Sequence, residues 1–359
     1  MTKVSFNSTN KPFASTLRAR VNHYFKTHNI SNTGNRKLYI KSTILVAAAV
    51  STYMVLVFAT PPAWLAIPLC MLFGCNLATI GFNIMHEGGH QSFSKKGWIN
   101  SLSAYSLNML GGTIYFWKQK HNISHHTYTN VDGLDHDIDI KFMRMHSDQP
   151  RKRFHRFQVG YWVVLYGISY LAWVLFQDFE KYFSGRMGPK ADRKPMPVRE
   201  HLIFWATKLA YVGVYLAIPI AMVGWLPAIL GWVVAGVSCG FCLAVVFQLA
   251  HVVEDTQFPA PDGDTQKIEQ EWMVHQLSTT SNFATKSRVI SWLLGGLNFQ
   301  VEHHLFPRIS HIHYPAINEL VKATCLEFNV VYLEHRTLGH AFASHLRHIH
   351  HLGKHDCVK

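Results

Sequence analysis

"STILVAAAVSTYMVLVFATPPAWLAIPLCMLFGCNLATIGFNIMH", residues 42–86, runs for 45 positions without one Asp, Glu, Lys or Arg. A helix needs about 20 apolar residues to cross a hydrocarbon core, so this run holds two spans and a turn. The turn is TPPAW at residues 60–64, since Pro stops a helix and Trp favours the membrane interface. Residues 209–253 form a second charge-free run of the same length, broken by VGWLP at residues 223–227. The pattern predicts an all-α integral membrane protein. Its four transmembrane helices form two hairpins, at about 40–60, 64–85, 204–223 and 228–250.

The flanks give orientation. Neither turn carries Lys or Arg, whereas the outer flanks are rich in both, which places the turns outside and both termini in the cytosol. Residues 157–176, FQVGYWVVLYGISYLAWVLF, are long enough to span. Yet RKRFHR precedes them and EKYFSGRMGPKADRK follows, so both ends belong on the cytosolic side. An odd number of spans would also part the later histidines from the earlier ones. The expectation is an interfacial helix at 157–176 and another at 97–112, GWINSLSAYSLNMLGG. Residues 1–37 read as a basic cytosolic tail with no acid, 38–330 as the membrane domain, and 331–359 as a His-rich tail.

Composition agrees. Of 359 residues 48% are hydrophobic and only 15% charged, which points to a bilayer as solvent. The net charge of +13 lies at the flanks of the apolar runs, so it speaks for membrane surface and against nucleic acid. Cys70, Cys75, Cys239 and Cys242 lie inside apolar runs and are read as packing residues, not as a disulfide framework. No signal-peptide pattern opens the sequence.

The chemistry lies in the 24 histidines. HEGGH, residues 86–90, begins where the first charge-free run ends and puts His86 and His90 on one helical face. Chance alone yields about one or two HxxxH pairs in such a sequence, and His351 with His355 looks like such a decoy. KQKHNISHHTYTN, residues 118–130, holds HxxxHH: His121 and His125 share a face and His126 points a quarter-turn away. QVEHH, residues 300–304, combines Gln300, His303 and His304, and His251 ends the second run as His86 ends the first. A titratable group at the end of a span is a functional candidate.

Imidazole without thiolate suits Zn, Cu, Fe or Ni. Eight histidines exceed the ligand need of one ion, so a dimetal site in a cytosolic helical cap is expected. Glu87, Asp135, Asp137, Asp139, Glu254, Asp255 and Glu302 are the acids available to hold the outer ring nitrogens. Lys118 and Lys120, beside the second cluster, are candidates for a phosphate-bearing headgroup. A metal transporter would set His, Asp or Glu deep in its spans; here they gather at one rim.

Three boxes in this order, HxxxH, HxxxHH and QxxHH, with hairpins between them resemble the integral-membrane fatty-acid desaturases, over about residues 39–315. GGLNFQVEHHLFPRISHIHYPAI is similar to the front-end, linoleoyl-CoA-desaturase-like branch, where Gln replaces the first His of the third box. HNISHHTYTNVDGLDHDIDI resembles the same branch. The resemblance implies two Fe ions held by His86, His90, His121, His125, His126, His251, His303 and His304, with Gln300 a poorer ligand. It implies O2 as co-substrate, two electrons per double bond, and an acyl-CoA or acyl-lipid substrate, in a bacterial inner membrane or endoplasmic reticulum. A fused cytochrome domain would show His-Pro-Gly-Gly, which does not occur, so a separate ferredoxin or cytochrome-type donor is expected. An unactivated methylene has no acidic proton, so its oxidation needs a metal centre. The nearest alternative is a lipid hydroxylase on the same scaffold, yielding an alcohol instead of an alkene.

Overall fold

The computed structural model describes residues 4–7, 11–138, 140, 142–188 and 193–355. It consists of helices joined by loops and two short strand pairs. Two compact units divide the chain: Met1–Gly34, Lys120–Trp162 and Val246–Lys359 form one, and Asn35–Gln119 with Val163–Val245 the other.

Among the described residues five helices are long and apolar enough to cross a membrane: Arg36–Ala59, Ala63–Gly89, Arg153–Ser184, Val198–Val223 and Trp225–His251. Four of them fall on the expected spans. The fifth, Arg153–Ser184, is a continuous helix of 32 residues over the segment that the flanking charge assigns to the interface. The expected turns are present. Thr60 is left-handed at φ 45°, and Gly224 reverses the chain at φ 85°, where a Cβ would be strained.

Within this second unit the helices meet at small residues. A Cβ on Gly74 would lie 2.1 Å from the Ala235 carbonyl oxygen, and one on Gly240 would lie 2.4 Å from that of Gly167. Small residues let backbones approach where the lipid gives no hydrophobic drive. One buried polar knot ties this unit together. Lys208 Nζ donates to Gly111 O (2.6 Å), Val174 O (3.1 Å) and Asp178 Oδ2 (3.2 Å). Asp178 also accepts from Thr113 Oγ1 (2.7 Å) and Trp173 Nε1 (2.9 Å). The knot fixes the loop, Gly111 to Thr113, that leads into Ile114–Trp117.

The basic N-terminal and His-rich C-terminal stretches both carry helices in the first unit. The basic N-terminal stretch contains the helix Lys11–Thr27, whose Phe13, Leu17 and Val21 are buried against Ile317 and Val321 of Tyr314–Glu327. Their i, i+4 spacing makes one apolar stripe behind the charges. The C-terminal stretch is likewise a helix, Leu338–Lys354, with Ala341, His345, Ile349 and Leu352 buried. His345 Nδ1 donates to Val252 O at 2.6 Å. Parallel pairings of Ser5–Phe6 with Lys267–Ile268 and of Asn282–Phe283 with Glu334–His335 stitch remote loops in this unit.

Candidate metal centre

The first box lies in the second unit. The Ala63–Gly89 helix passes through a π-type turn, Gly81–Met85, before reaching His86. The His86 and His90 rings stand 4.6 Å apart, and each packs edge-on against Trp117, at 5.7 and 5.5 Å. The two glycines between them have a reason. A Cβ on Gly89 would lie 2.4 Å from the Trp117 ring and one on Gly88 2.5 Å from Ala104 N.

The second box departs from the expected α-helix. Lys118–His125 is a π-helix, whose i→i+5 bonds widen each turn and which recurs at functional sites. His126 N–H therefore bonds to His121 O (3.0 Å). The two rings, expected a quarter-turn apart, come together with Nε2 atoms 3.3 Å from each other. The His121 and His125 rings still face one another at 5.1 Å.

In the first unit this box meets His251 and the third box. Three sets of side chains each offer ligand atoms lying within 4.8 Å of one another: His125, His251 and His304; His126, His303 and His304; His121, His125 and Asp137. All six of these histidines are buried. Five rings are held from outside through Nδ1. His121 bonds Asp137 (3.0 Å), His125 bonds Asp135 (2.8 Å), and His304 bonds Gln276 Oε1 (2.9 Å). His251 bonds Thr279 O (3.3 Å) and His303 bonds the Tyr314 hydroxyl (3.2 Å). A ring that donates its Nδ1 proton outward presents its Nε2 lone pair inward, as a metal requires.

The inward atoms fit a cation. His125 Nε2 is buried with no hydrogen-bond partner among the described residues, a costly arrangement unless something binds there. The Gln300 amide reaches His251 Nε2 at 3.0 Å and His304 Nε2 at 3.3 Å, so it too faces this interior.

The carboxylates set the charges. Burial opposes a charged His125, but Asp135 outweighs it and holds the imidazole above its ordinary pKa. Burial likewise works against an ionised Asp135, yet His125 keeps it below the usual carboxylate range. Asp137 is held well below that range against its own burial by Lys120 and His121. For His121 burial wins, and its pKa is lowered. Asp135 also accepts the backbone N–H groups of Asn130 and Asp137, each at 2.9 Å.

Other expected residues lie elsewhere. Glu302 is buried against Asn282 Nδ2 (2.7 Å), Asn318 Nδ2 (3.0 Å) and Tyr332 OH (3.1 Å), bracing the third-box helix from behind. Glu254 pairs with Arg347 on the surface (2.8 Å) and Asp255 is exposed. Glu87 is buried on the first-box turn, and Asp139 lies outside the described residues. Lys120 is engaged with Asp137 at 2.8 Å, which occupies it as a headgroup ligand, while Lys118 is half-buried on the π-helix.

Sequence reasoning missed Gln276, Thr279, Tyr314, Thr129 and Asn130. Thr129 Oγ1 bonds His125 O (2.7 Å) and Gln276 Oε1 (2.8 Å), and Asn130 Nδ2 donates to His251 O (2.9 Å). None of these residues carries charge or box spacing, so nothing in the sequence marks them.

The chain matches the fatty acid desaturase family over residues 62–336. It is 37% identical over 345 residues to the sn-1 linoleoyl-lipid 6-desaturase of Arthrospira platensis, covering 92% of this chain and 90% of that protein. It is 34% identical over 348 residues to the protein of the same name from Synechocystis sp., covering 95% and 96%. It is 34% identical over 351 residues to the acyl-lipid (8-3)-desaturase of Physcomitrium patens, covering 96% and 72%.

Proposed function

Because this chain belongs to the fatty acid desaturase family, we propose that it is a front-end acyl-lipid desaturase that inserts a double bond at C6 of a linoleoyl chain on a membrane lipid. The names of the Arthrospira platensis and Synechocystis sp. relatives support the substrate and position. The inward Nε2 atoms, each on a ring braced from behind, carry the chemistry.

The metal ligands in this reading are His86, His90, His121, His125, His126, His251, His303 and His304, with Gln300 beside them. Two iron ions, when bound, supply the activation of O2 that no side chain can, strong enough to oxidise an unactivated methylene. Asp135, Asp137, Gln276, Tyr314 and the Thr279 carbonyl hold the ring tautomers. They also fix the rings in place, since a loosely supported ligand set binds metal weakly.

We place four spans in the bilayer, with Arg153–Ser184 at the interface. Contact between His125 and His251, ring centroids 4.7 Å apart, supports this. Three candidate spans separate them in sequence, Arg153–Ser184, Val198–Val223 and Trp225–His251. Three crossings would put the two rings on opposite sides of the membrane, and two return them to one side. The basic flanks make that side, and both termini, cytosolic. An acyl chain has room in the membrane unit. One cavity of about 440 Å³ is walled by Phe73, Tyr211 and Trp232. A groove of about 960 Å³ is lined by Val46, Val50, Leu102, Met109 and Arg199. Electrons come from a separate one-electron carrier.

The test is gas-chromatographic profiling of lipids from a host that expresses the chain and is fed linoleic and saturated acids, beside a His125→Ala control. A new C6 double bond absent from the control is expected. An alcohol would replace this reading by the hydroxylase, and a double bond elsewhere would overturn the C6 assignment.

A further inference from the structure

We propose that the exposed face of helix Lys11–Thr27 is the docking surface for an acidic one-electron carrier, and that Tyr24, Phe25, His313 and Tyr314 conduct each electron to His303. This rests on the desaturase reading, which requires a reductant but does not say where it binds.

Charge is the first observation. The helix holds basic residues and no acid. Arg20 is engaged by Glu327 and by Thr324 Oγ1 (2.8 Å), whereas Arg18 and Lys26 are exposed on the outer face. A basic surface of this kind favours an acidic partner, chiefly by raising its association rate. The inner face of the same helix is fixed by Phe13, Leu17 and Val21 in the core, so the charges stand on a rigid support.

The second observation is a run of packed rings from that helix to the site. Tyr24 packs on Phe25 (5.3 Å between centroids), and Phe25 lies edge-on to His313 (5.1 Å). His313 is bonded through the chain to Tyr314, whose hydroxyl lies 3.2 Å from His303 Nδ1. The segment is held in register by hydrogen bonds: Ser310 N–H donates to Asn32 O (2.8 Å), and His313 Nε2 lies 3.4 Å from Thr33 O. Tyr24 and Phe25 are half-buried, while His313 and Tyr314 are buried. The run therefore leads from the surface to a ring that offers a metal ligand, with only short gaps between packed groups.

The balance is simple. O2, two protons, two carrier electrons and the two hydrogens of one CH2–CH2 unit give two waters and one CH=CH unit. O2 is reduced by four electrons, two from the C–H bonds and one from each of two carrier molecules. The residues of the run are unchanged after each transfer.

The experiment uses the full iron-loaded chain in detergent and an acidic [2Fe–2S] ferredoxin as probe. Binding of oxidised ferredoxin is measured by calorimetry at low and high salt, and oxidation of reduced ferredoxin by stopped flow. Arg18→Glu with Lys26→Glu is expected to weaken binding at least tenfold at low salt and to flatten its salt dependence. Lys95→Glu with Lys96→Glu, the same charge change on an exposed loop of the other unit, is expected to leave binding unchanged. Equal weakening by both pairs would mean that only net charge matters, and no weakening by the first would reject the surface. At saturating ferredoxin, Phe25→Leu is expected to slow oxidation several-fold, with Phe25→Trp restoring it. An unchanged saturated rate in Phe25→Leu would reject the route. If Phe25→Leu loses iron, Tyr24→Leu, at a more peripheral ring, decides the same question. Failure of the wild type to form any desaturated product would fall on the proposed function, because the binding measurement needs no turnover.

Discussion

The two units each bury a polar cluster, and the clusters close their hydrogen bonds differently. In the membrane unit Lys208 and Asp178 spend themselves on each other and on four neighbouring donors or acceptors. In the other unit the outer nitrogens of the rings are answered just as carefully, while His125 Nε2 is buried without a hydrogen-bond partner among the described residues. A closed polar network in a low-dielectric interior fixes one structure. A network closed on one side only is a binding site. The difference suits Lys208 and Asp178 to a structural part, and the histidines to the metal binding proposed for them.

Breaking each cluster should therefore fail differently. The largest effect is expected from His125→Ala, which should reduce desaturated product to background while the protein still inserts and melts cooperatively. Product at wild-type level would remove His125 from the ligands. Lys208→Met should instead unfold, since leaving the Asp178 charge buried without its cation costs about 3–5 kcal/mol even with Thr113 and Trp173 still donating to it. The double variant Lys208→Met with Asp178→Leu should regain most of the melting temperature, because an apolar pair of similar volume restores closure. A double variant no more stable than the single one would show that the pair is needed for more than charge balance.

Smaller effects sharpen the contrast. Asp135→Asn keeps the shape behind His125 but removes the charge, and should lower iron affinity and activity by about 10–100-fold. Equal loss in Glu302→Gln would contradict the distinct places of these two acids. His345 is buried and its pKa is pushed down to about 4 from an ordinary 6.5, by burial that its bond to Val252 O only partly offsets. Between those values the unfolded chain binds a proton that the folded chain does not. This contribution to stability is complete above the ordinary value and falls away as pH drops through the window. His345→Gln should flatten the acid side of the melting curve against pH, and an unflattened curve would place the titration elsewhere. The smallest effect is expected from His351→Ala on the C-terminal helix, whose activity assay should match the wild type.

The long apolar helices were legible because two charge-free runs admit few alternatives, and a fifth helix of the same kind covers residues 153–184. The boxes were legible because ligand spacing repeats. What remained hidden depends on contacts distant in sequence. Asp178 and Lys208 are 30 residues apart and bracket different apolar segments. Asp135 and Asp137, which bond His125 and His121, stood among the candidate acids, but so did Glu302, which is adjacent to His303. One step along a helix turns a side chain by about 100°, and that rotation sends Glu302 to Asn282 and Asn318 instead of the rings. The π-helix at the second box was equally hidden, since its residues also read as an α-helix. At the N-terminus, charge masked the apolar stripe of Phe13, Leu17 and Val21.

The most direct test of the central claim is metal analysis of the purified chain, by plasma mass spectrometry, for the wild type and His125→Ala. Two irons per wild-type chain and a marked loss in the variant are expected. A wild-type chain that carries no iron when expressed with ample iron, or a His125→Ala variant that keeps its full complement, would contradict the dimetal site.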